Sequence, residues 1–372
     1  MIVDIALLIF TLATLIQVWL WGIGFRNLDN YQIVKTDVAS SAPLSVVICA
    51  RNEEANLRAN LALWLNQEYP AFELIIVDDD SSDGTAALIA EVQKTLPQLK
   101  YLKVDRAPGS LPGKKHALAQ GIRFAQNDIL VLTDADCSPA SSNWLQEIAD
   151  GFTENTQLVL AFAPFYLAPG LLNRWIRYEG LYTAWLYLSA ALWKEPYMGV
   201  GRNLAYRKEL FDKAGGFGKH ADLSGGDDDL FVNGLFGDSG VAPVSTSIVI
   251  SPQSWALSEG KHTWSAYLRQ KKRHLSTGIR YHWRHQLILG LIALSHFLHL
   301  TLGFLGLWYF PIWAIAGLCG RLLIFWFRAS RLSGRFGGKN LRLLLPVLDL
   351  FFPVFYLFFS PVIFGLRAIK KW

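Results

Sequence analysis

The chain has 372 residues, of which 52% are hydrophobic and only 17% are charged. About 25% of the residues of a soluble globular domain are charged, so this composition excludes an ordinary soluble enzyme and predicts membrane segments. The net charge of +5 is concentrated beside the apolar segments, which indicates contact with lipid headgroups and not with nucleic acid.

The sequence begins with an apolar stretch. Residues 2–25 carry a single charge, Asp4, and they are long enough to cross a bilayer, which takes about 20 residues. A signal peptide would have a basic start and a small-residue cleavage site, whereas this start is acidic and Arg26 follows the apolar stretch. The pattern therefore predicts a retained transmembrane anchor over residues 1–26.

The end of the sequence, residues 286–372, is predicted to be a C-terminal transmembrane region. It contains two apolar and aromatic stretches, 286–327 and 343–366. A basic island separates them and consists of Arg328, Arg331, Arg335, Lys339 and Arg342. Because Lys and Arg are enriched in cytoplasmic loops, the island and the middle of the chain are predicted to face the cytoplasm of a bacterial-type inner or plasma membrane. Prolines in the last stretch leave open whether it crosses the membrane or re-enters it.

Residues 43–258 have the alternating pattern of an α/β domain. Short apolar stretches predict buried strands, and stretches with helical spacing alternate with them. Such alternation with short connections predicts a mostly parallel sheet with helices on both faces. The predicted strands are Leu44–Ala50, one from Phe72, one around Tyr101–Val104 and one from Ile129, and the predicted helices are Asn52–Gln67 and one from Ala117.

Polar side chains follow three of the predicted strands, at 51–53, 78–83 and 134–136. In parallel sheets, ligands bind beyond the carboxyl ends of the strands. Asp134 and Asp136 stand one residue apart after a very apolar strand, and a divalent cation would offset their repulsion, because Mg²⁺ binds hard oxygen ligands. Taken alone, the pair is explained equally well as two aspartates of an exposed loop that bind no metal.

Three later segments also carry a signal. GGDDDL, residues 225–230, predicts a helix start, but its three aspartates exceed what a helix cap needs. Residues 263–285 combine Trp, Tyr and Leu with a basic face, which is typical of a helix that lies in the membrane interface. The predicted interfacial amphipathic segment is 259–285. The aromatic residues at 175–187 fit three interpretations: the lining of an acceptor groove, an interfacial aromatic belt, or core packing.

Four motifs stand in the chain in this order: VDDDSSD (Val77–Asp83), DAD (Asp134–Asp136), GDDDL (Gly226–Leu230) and QKKRH (Gln270–His274). With these motifs the chain resembles the membrane-bound family 2 glycosyltransferases, relatives of cellulose synthases, hyaluronan synthases and ceramide glucosyltransferase. The resemblance covers about residues 43–285. It implies a GT-A fold, that is, a nucleotide-diphospho-sugar transferase domain of the α/β class, flanked by transmembrane helices.

The resemblance also implies roles for individual residues. Asp79 would contact the uracil of a UDP-sugar, while Asp134 and Asp136 would hold a divalent cation, Mg²⁺ or Mn²⁺, on the diphosphate. Lys114 would lie near the nucleotide, and Gln270 and Arg273 would close over the diphosphate. The implied nucleotide-binding residues are Ala50, Asn52, Glu53, Asp79, Lys114, Asp134, Gln270 and Arg273, and the implied metal ligands are Asp136 and Asp134.

The implied general base is Asp227, which stands three residues before Leu230. Asp228 stays open as the alternative base, because the acidic residue that usually precedes the base is Gly226 here. A second departure is His274, which replaces a Trp that helps to bind the acceptor in the synthases.

These features predict a membrane-bound glycosyltransferase, and the resemblance implies that it inverts the anomeric configuration. It would transfer a sugar from a UDP-sugar to a lipid or a lipid-linked glycan at the cytoplasmic face. Two alternatives stay open: a processive polysaccharide synthase, and a catalytically inactive binding subunit. His274 and the small number of predicted spans argue against the first, and the intact carboxylates with Arg273 argue against the second.

Overall fold

The computed structural model of the chain describes residues 1–32, 41–106, 109–236 and 244–364. Its contacts divide the chain into two compact units. The α/β unit contains Ile33–Leu167 and Ala190–Thr277, and the helical unit contains Met1–Gln32, Ala168–Ser189 and Gly278–Ala368. An internal segment, Ala168–Ser189, therefore belongs with the terminal apolar helices.

The regular elements are numbered here in chain order. The strands are β1 Leu44–Ala50, β2 Phe72–Asp78, β3 Leu99–Lys103, β4 Ile129–Asp134, β5 Cys137–Pro139, β6 Leu158–Ala161, β7 Leu204–Arg207, β8 Thr246–Val249 and β9 Ala256–Ser258. The helices are α1 Ile2–Trp19, α2 Arg26–Asp29, α3 Glu54–Leu65, α4 Thr85–Gln93, α5 Lys115–Phe124, α6 Trp144–Ala149, α7 Leu171–Leu192, α8 Lys208–Lys213, α9 Asp229–Leu235, α10 Trp264–Gly278, α11 Trp283–Tyr309, α12 Pro311–Arg335 and α13 Leu345–Phe364.

The α/β unit is built on a seven-stranded sheet with the order β3-β2-β1-β4-β7-β6-β8. Its strand pairs are parallel except those of β7, which runs antiparallel to both β4 and β6. The predicted mostly parallel sheet is confirmed. Strands β5 and β9 form a second, small antiparallel sheet, which begins directly after the DAD motif.

The predicted and observed elements agree closely in the first half of the α/β unit. Strand β1 has the predicted bounds, because a strand buried on both faces is apolar along its whole length. Helix α3 begins at Glu54 and not at Asn52, since Asn52 has a φ of 57° and cannot belong to a right-handed helix. The predicted apolar stripe of this helix is buried, with Leu57 and Leu61 at 0% and 4% exposure.

Among the described residues, three helical segments are long and apolar enough to cross a membrane: Ile2–Asp29, Trp283–Tyr309 and Pro311–Arg335. The predicted interfacial stretch 263–285 is divided, because α10 ends at Gly278 and α11 begins at Trp283.

Helix α13 follows these three segments and continues through Pro353, so this proline does not interrupt the last apolar stretch. Residues 365–372, the end of the predicted C-terminal region, lie outside the described residues.

The aromatic side chains of α7 pack inside the helical unit. Trp175, Tyr178, Tyr182, Trp185 and Tyr187 expose between 0% and 6% of their surface. The Trp175 ring lies 4.7 Å from Phe355, and the Tyr182 ring lies 4.8 Å from Phe352, both on α13. Core packing therefore explains these residues, and an open acceptor groove does not.

Part of the basic island is used within the helical unit. Arg328 donates to the carbonyls of Trp21 and Gly22 at 3.0 and 2.9 Å, in the π-helical turn that follows α1. A π-turn leaves carbonyls without their usual helical donors, and this guanidinium satisfies them. Arg328 also binds the buried Asp29 at 2.5 Å, as does Arg331 at 2.9 Å.

Candidate functional site

The carboxyl ends of β1, β2 and β4 meet at one edge of the sheet. Ala50 is in register with Asp78 on β2, and Cys49 is in register with Asp134 on β4. The three polar segments that follow these strands are therefore neighbours in space, as the sequence pattern predicts. Burial, together with the charges of Asp136 and Asp134, raises the pKa of Glu53, which lies at the same edge.

Asn52 connects the loop after β1 to the loop after β2. Its left-handed backbone turns the side chain oxygen toward Ser82, whose backbone N–H donates to it at 2.8 Å. The Asn52 N–H donates in turn to the hydroxyl of Ser81 at 3.0 Å. Asn52, predicted to bind the nucleotide, thus also holds the shape of the VDDDSSD loop.

Asp79, the predicted uracil contact, has a buried carboxylate that Arg106 binds with two nitrogens, at 3.0 and 2.5 Å. The Asp79 N–H donates to the carbonyl of Ala50 at 2.8 Å. Arg106 also donates to the carbonyl of Gly113 at 2.6 Å. One guanidinium therefore links the VDDDSSD loop to the turn before Lys114, a role that the sequence pattern missed.

Gly113 sets the position of Lys114. Its φ is +62°, and a Cβ on it would lie 2.2 Å from the carbonyl oxygen of Ser224. Only glycine combines this backbone conformation with so close an approach. The turn before α5 therefore packs directly against the segment that leads into GGDDDL, which brings Lys114 to that motif.

Lys114 joins two of the predicted catalytic motifs. Its ammonium hydrogen-bonds to Asp134 of the DAD motif and lies 3.8 Å from Asp227 of GDDDL. Although burial opposes both charges, the pairing raises the pKa of Lys114 well above its usual value and lowers the pKa of Asp134. Both groups are therefore charged at neutral pH and form a fixed electrostatic centre.

The three aspartates of GGDDDL have different partners. Asp228 is the N-cap of α9 and accepts from the N–H groups of Asp229 and Gly201, each at 2.7 Å. Asp229 accepts from the hydroxyl of Thr277 on α10. Among the described residues, no hydrogen bond engages Asp227. Its carboxylate is therefore the most available of the three as a proton acceptor.

The position before Asp227 accounts for one departure from the family motif. Gly226 has a φ of +81°, and a Cβ there would lie 2.4 Å from the Cδ1 atom of Leu230. An acidic side chain at this position would require a different turn. Burial first, and then the charges of Asp227 and Asp229, raise the pKa of Asp228 to about 7.

Asp134, Asp136 and Cys137 form a group whose ligand atoms lie within 4.8 Å of one another. Burial raises the pKa of the Cys137 thiol well above its usual value, so the thiol stays protonated. The available donors are therefore carboxylate oxygens, the ligand type that Mg²⁺ and Mn²⁺ prefer. Desolvation and the like charge of Asp134 raise the pKa of Asp136, as expected for two carboxylates that share a site.

Helix α10 carries the predicted QKKRH element. Its Thr277 binds Asp229. Arg273 lies next to Gly225, because a Cβ at this glycine would be 3.9 Å from the Cγ atom of Arg273. The structure therefore brings Arg273 to the GGDDDL segment, and its charge is among those that lower the pKa of Asp134. Gln270 lies one turn earlier on α10, and it makes no hydrogen bond to the described site residues.

Two neighbouring residues, Arg202 and Asn203, support the site but were not predicted. Arg202 lies 4.3 Å from the Phe165 ring and donates to the carbonyl of Ala163 at 2.9 Å. Its charge contributes to the lowered pKa of Asp134 and partly offsets the rise in the pKa of Asp136. The amide of Asn203 is fully buried and donates to the carbonyls of Phe162 and Ser254 at 2.8 and 2.7 Å. Their only sequence signal is a polar pair inside GVGRNLAY.

Comparison with known proteins shows which family a large part of the α/β unit matches. Residues 45–215 match the family described as Glycosyl transferase family 2. The beta-monoglucosyldiacylglycerol synthase of Trichormus variabilis is 32% identical over 146 residues, which are 38% of this chain and 30% of that protein. The poly-beta-1,6-N-acetyl-D-glucosamine synthase of Staphylococcus epidermidis is 34% identical over 122 residues, 32% of this chain and 28% of that protein. The chain thus matches less than a third of the length of either relative.

One solved structure is similar over almost the whole chain. It is the mannosyltransferase PcManGT from Pyrobaculum calidifontis in complex with GDP-Man and Mn²⁺, with a TM-score of 0.58 and 19% identity. The matched region covers 97% of this chain and 99% of that chain. This similarity concerns the fold, and it confirms the predicted GT-A architecture.

Proposed function

We propose that this chain, which contains a glycosyl transferase family 2 domain, transfers a sugar from a UDP-sugar to a lipid or lipid-linked acceptor at the cytoplasmic face of a membrane. The observation that carries the proposal is the position of Lys114, between Asp134 of the DAD motif and Asp227 of GDDDL. This arrangement puts a fixed positive charge, suited to a diphosphate, beside a carboxylate that is free to accept a proton.

The nucleoside half of the donor would bind at the ends of β1 and β2. Arg106 binds both oxygens of the Asp79 carboxylate and so fixes its orientation, while the Asp79 N–H donates to the carbonyl of Ala50. Asn52 and Glu53 border the same edge. A buried, pre-oriented acceptor of this kind discriminates between bases, because a base without the matching N–H would leave it unpaired.

The diphosphate would bind where positive charge is concentrated. Lys114 stands directly before α5, and Arg273 and Gln270 would approach from α10. A guanidinium binds two phosphate oxygens at once. Asp136 and Asp134 would hold a divalent cation there, and a bound cation would neutralise charge that develops on the leaving diphosphate.

Asp227 would act as the general base. The acceptor hydroxyl oxygen forms a bond to the anomeric carbon of the sugar, the bond from that carbon to the diphosphate oxygen breaks, and the hydroxyl proton passes to the Asp227 carboxylate. UDP leaves with the bonding electron pair. A single displacement of this kind inverts the anomeric configuration, and a correctly placed base contributes about 10²–10⁴-fold to its rate.

Two observations support a lipid acceptor. Within the described residues, three helices are long and apolar enough to cross a membrane, and such helices would hold the protein at a membrane, where lipid hydroxyls are available. The relative from Trichormus variabilis is named for a glucosyl lipid product. The relative from Staphylococcus epidermidis is named for a polymer, so the length of the product has to be measured.

The direct test incubates the full-length purified protein in lipid nanodiscs with a panel of radiolabelled UDP-sugars and Mg²⁺ or Mn²⁺. One or two sugars on an organic-extractable lipid are expected. Asp227→Asn is expected to abolish transfer and to change UDP affinity only a few-fold, whereas Asp228→Asn should retain transfer. Asp212→Asn, an exposed aspartate on α8, is the matched control.

Three outcomes would contradict parts of the proposal. A long water-soluble product would favour a processive synthase. Transfer from GDP-mannose but from no UDP-sugar would refute the donor assignment. Absence of both UDP binding and UDP-sugar hydrolysis would favour an inactive binding subunit.

A further inference from the structure

An open groove of about 480 Å³ lies in the helical unit, along the second half of α12 and the segment that follows it. Trp326 and Phe327 expose 43% and 64% of their surface there. An apolar wall that ends at two arginines matches the chemistry of a phospholipid, in which glycerol joins apolar acyl chains to a phosphate. The lining residues are Leu323, Trp326, Phe327, Ser330, Arg331 and Arg342.

The groove lies where α12 changes from apolar to basic. The segment Pro311–Arg335 is one of the three helices long and apolar enough to cross a membrane, and its apolar run ends at Phe327. Trp and basic residues are enriched where a spanning helix meets the lipid headgroups. The groove therefore lies at the level at which a phosphate group would sit.

The charges around the groove are only partly neutralised. Asp29 accepts from Arg328 at 2.5 Å and from the Nε atom of Arg331 at 2.9 Å. The Nε atom of Arg342 donates to the carbonyl of Ser330 at 3.0 Å. In the part of the chain that the structure describes, no carboxylate binds Arg342, and the terminal nitrogens of Arg331 have no hydrogen-bond partner. Two guanidinium groups therefore leave donors available at one groove.

Contacts between α12 and the following segment form the groove in advance. The Trp326 indole N–H donates to the carbonyl of Arg342 at 3.1 Å. The Nε atom of Arg342 donates in the other direction, to the carbonyl of Ser330 on α12. Leu341, next to Arg342, is fully buried. A site that is already ordered loses less conformational entropy when it binds a ligand.

We propose that this groove binds an anionic glycerophospholipid. Its phosphate would lie between Arg331 and Arg342, and an acyl chain would lie along Leu323 and Phe327. Guanidinium groups match phosphate oxygens in geometry and charge. A zwitterionic lipid brings a cation of its own to a region with excess positive charge, so the site should select a headgroup with a net negative charge.

Native mass spectrometry of the full-length protein in detergent tests the site, with phosphatidylglycerol and phosphatidylcholine of identical acyl chains as probes. One phosphatidylglycerol per chain should bind, about tenfold more tightly than phosphatidylcholine. Arg342→Gln removes one guanidinium, and Ser330→Phe fills the groove without a change of charge. Each variant should weaken binding of phosphatidylglycerol by about tenfold.

Arg284→Gln is the matched control, because Arg284 is an exposed arginine that stacks on Trp283 at 5.6 Å, outside the groove. An equal loss in this control would assign the binding to diffuse charge and overturn the site. Equal binding of the two lipids, or unchanged binding in Arg342→Gln and Ser330→Phe, would overturn it as well. A protein dimer that Ser330→Phe disrupts, with no bound lipid, would assign the groove to a second copy of the chain.

Arg342→Lys keeps the charge and loses the planar fork, so it should bind with intermediate affinity. If Arg342→Gln does not fold, this variant and Ser330→Phe decide the result. None of these measurements depends on transferase activity, so the lipid site and the proposed function are tested separately.

Discussion

Lys114 hydrogen-bonds to Asp134 and lies 3.8 Å from Asp227. The two carboxylates belong to motifs that are far apart in the sequence, and a single, partly buried ammonium neutralises part of the charge of both. Gly113 makes this contact possible, because its backbone approaches Ser224 more closely than a residue with a Cβ could. The electrostatic centre of the site is therefore built by a loop contact and not only by the sheet edge.

Replacement of Lys114 should impair catalysis more than folding. In Lys114→Met the leaving diphosphate loses a positively charged partner, and kcat should fall by about 10²–10³-fold, the usual effect of removing one pre-organised group of this kind. Lys114→Arg keeps the charge and should retain intermediate activity. Steady-state kinetics with the best UDP-sugar measure both, and a kcat for Lys114→Met within threefold of wild type would contradict the assignment.

Asp228 should make the stability of the protein depend on pH. Its pKa is raised from 3.8 to about 7 in the folded protein, so between these values the folded state holds a proton that the unfolded state has lost. The contribution of Asp228 to stability should therefore be fully present below about pH 4 and decrease as the pH rises to about 7, by up to about 1.4 kcal/mol per pH unit.

Asp228→Asn, which carries no charge at any pH, should remove this component. Thermal unfolding of the full-length protein at pH 5, 6, 7 and 8 measures it, and the variant should gain stability relative to wild type as the pH rises. Asp212→Asn serves as the control and should run parallel to wild type. A constant difference between Asp228→Asn and wild type across this range would show that Asp228 does not titrate there and would contradict the raised pKa.

Arg106 should act as a positioning residue for the donor base. It fixes the buried carboxylate of Asp79 with two hydrogen bonds, and Arg106→Gln leaves that carboxylate without its cation. The Kd for UDP should rise by about tenfold or more, while kcat at saturating donor should change little. Arg123→Gln removes an exposed arginine of α5 and should leave the Kd unchanged; an equal rise in both variants would point to a general charge effect.

Much of the sheet and its polar edge was predictable, for a definite physical reason. Strands β1, β2 and β4 are buried on both faces, so each is a short apolar run that ends abruptly at polar residues. Parallel strands bring such ends together, so Glu53, Asp79 and Asp134 could be assigned to one edge before any contact was known.

Other parts of the site depend on contacts that leave no local pattern. Arg106 has the appearance of an ordinary loop residue, and only the fold brings it to Asp79. The side-chain amide of Asn203 donates hydrogen bonds to the carbonyls of two distant segments. Its sequence neighbours therefore do not predict its role. The aromatic residues of α7 fit a groove, a belt or a core equally well in the sequence, because burial alone separates these possibilities.

The apolar segments also hide a buried ion pair. Arg321 on α12 binds Asp349 on α13 with two nitrogens, and it donates to the side chain of Gln17 on α1 at 3.0 Å. Arg321 and Asp349 expose 2% and 0% of their surface. Single charges inside apolar stretches appear unfavourable in the sequence, whereas in the structure they join three helices.

Removal of one partner of this pair should therefore cost more than removal of both. Asp349→Leu leaves the Arg321 guanidinium buried without its carboxylate, which should destabilise the protein by about 3–5 kcal/mol, whereas Arg321→Leu with Asp349→Leu should recover a large part of that loss. Unfolding of the full-length protein in mixed detergent micelles measures all three. Glu209→Ala breaks an exposed pair with Lys213 and should cost less than about 1 kcal/mol. Additive losses in the double variant would mean that the two charges are stabilised independently, and that α13 does not depend on α12 for its place in the helical unit.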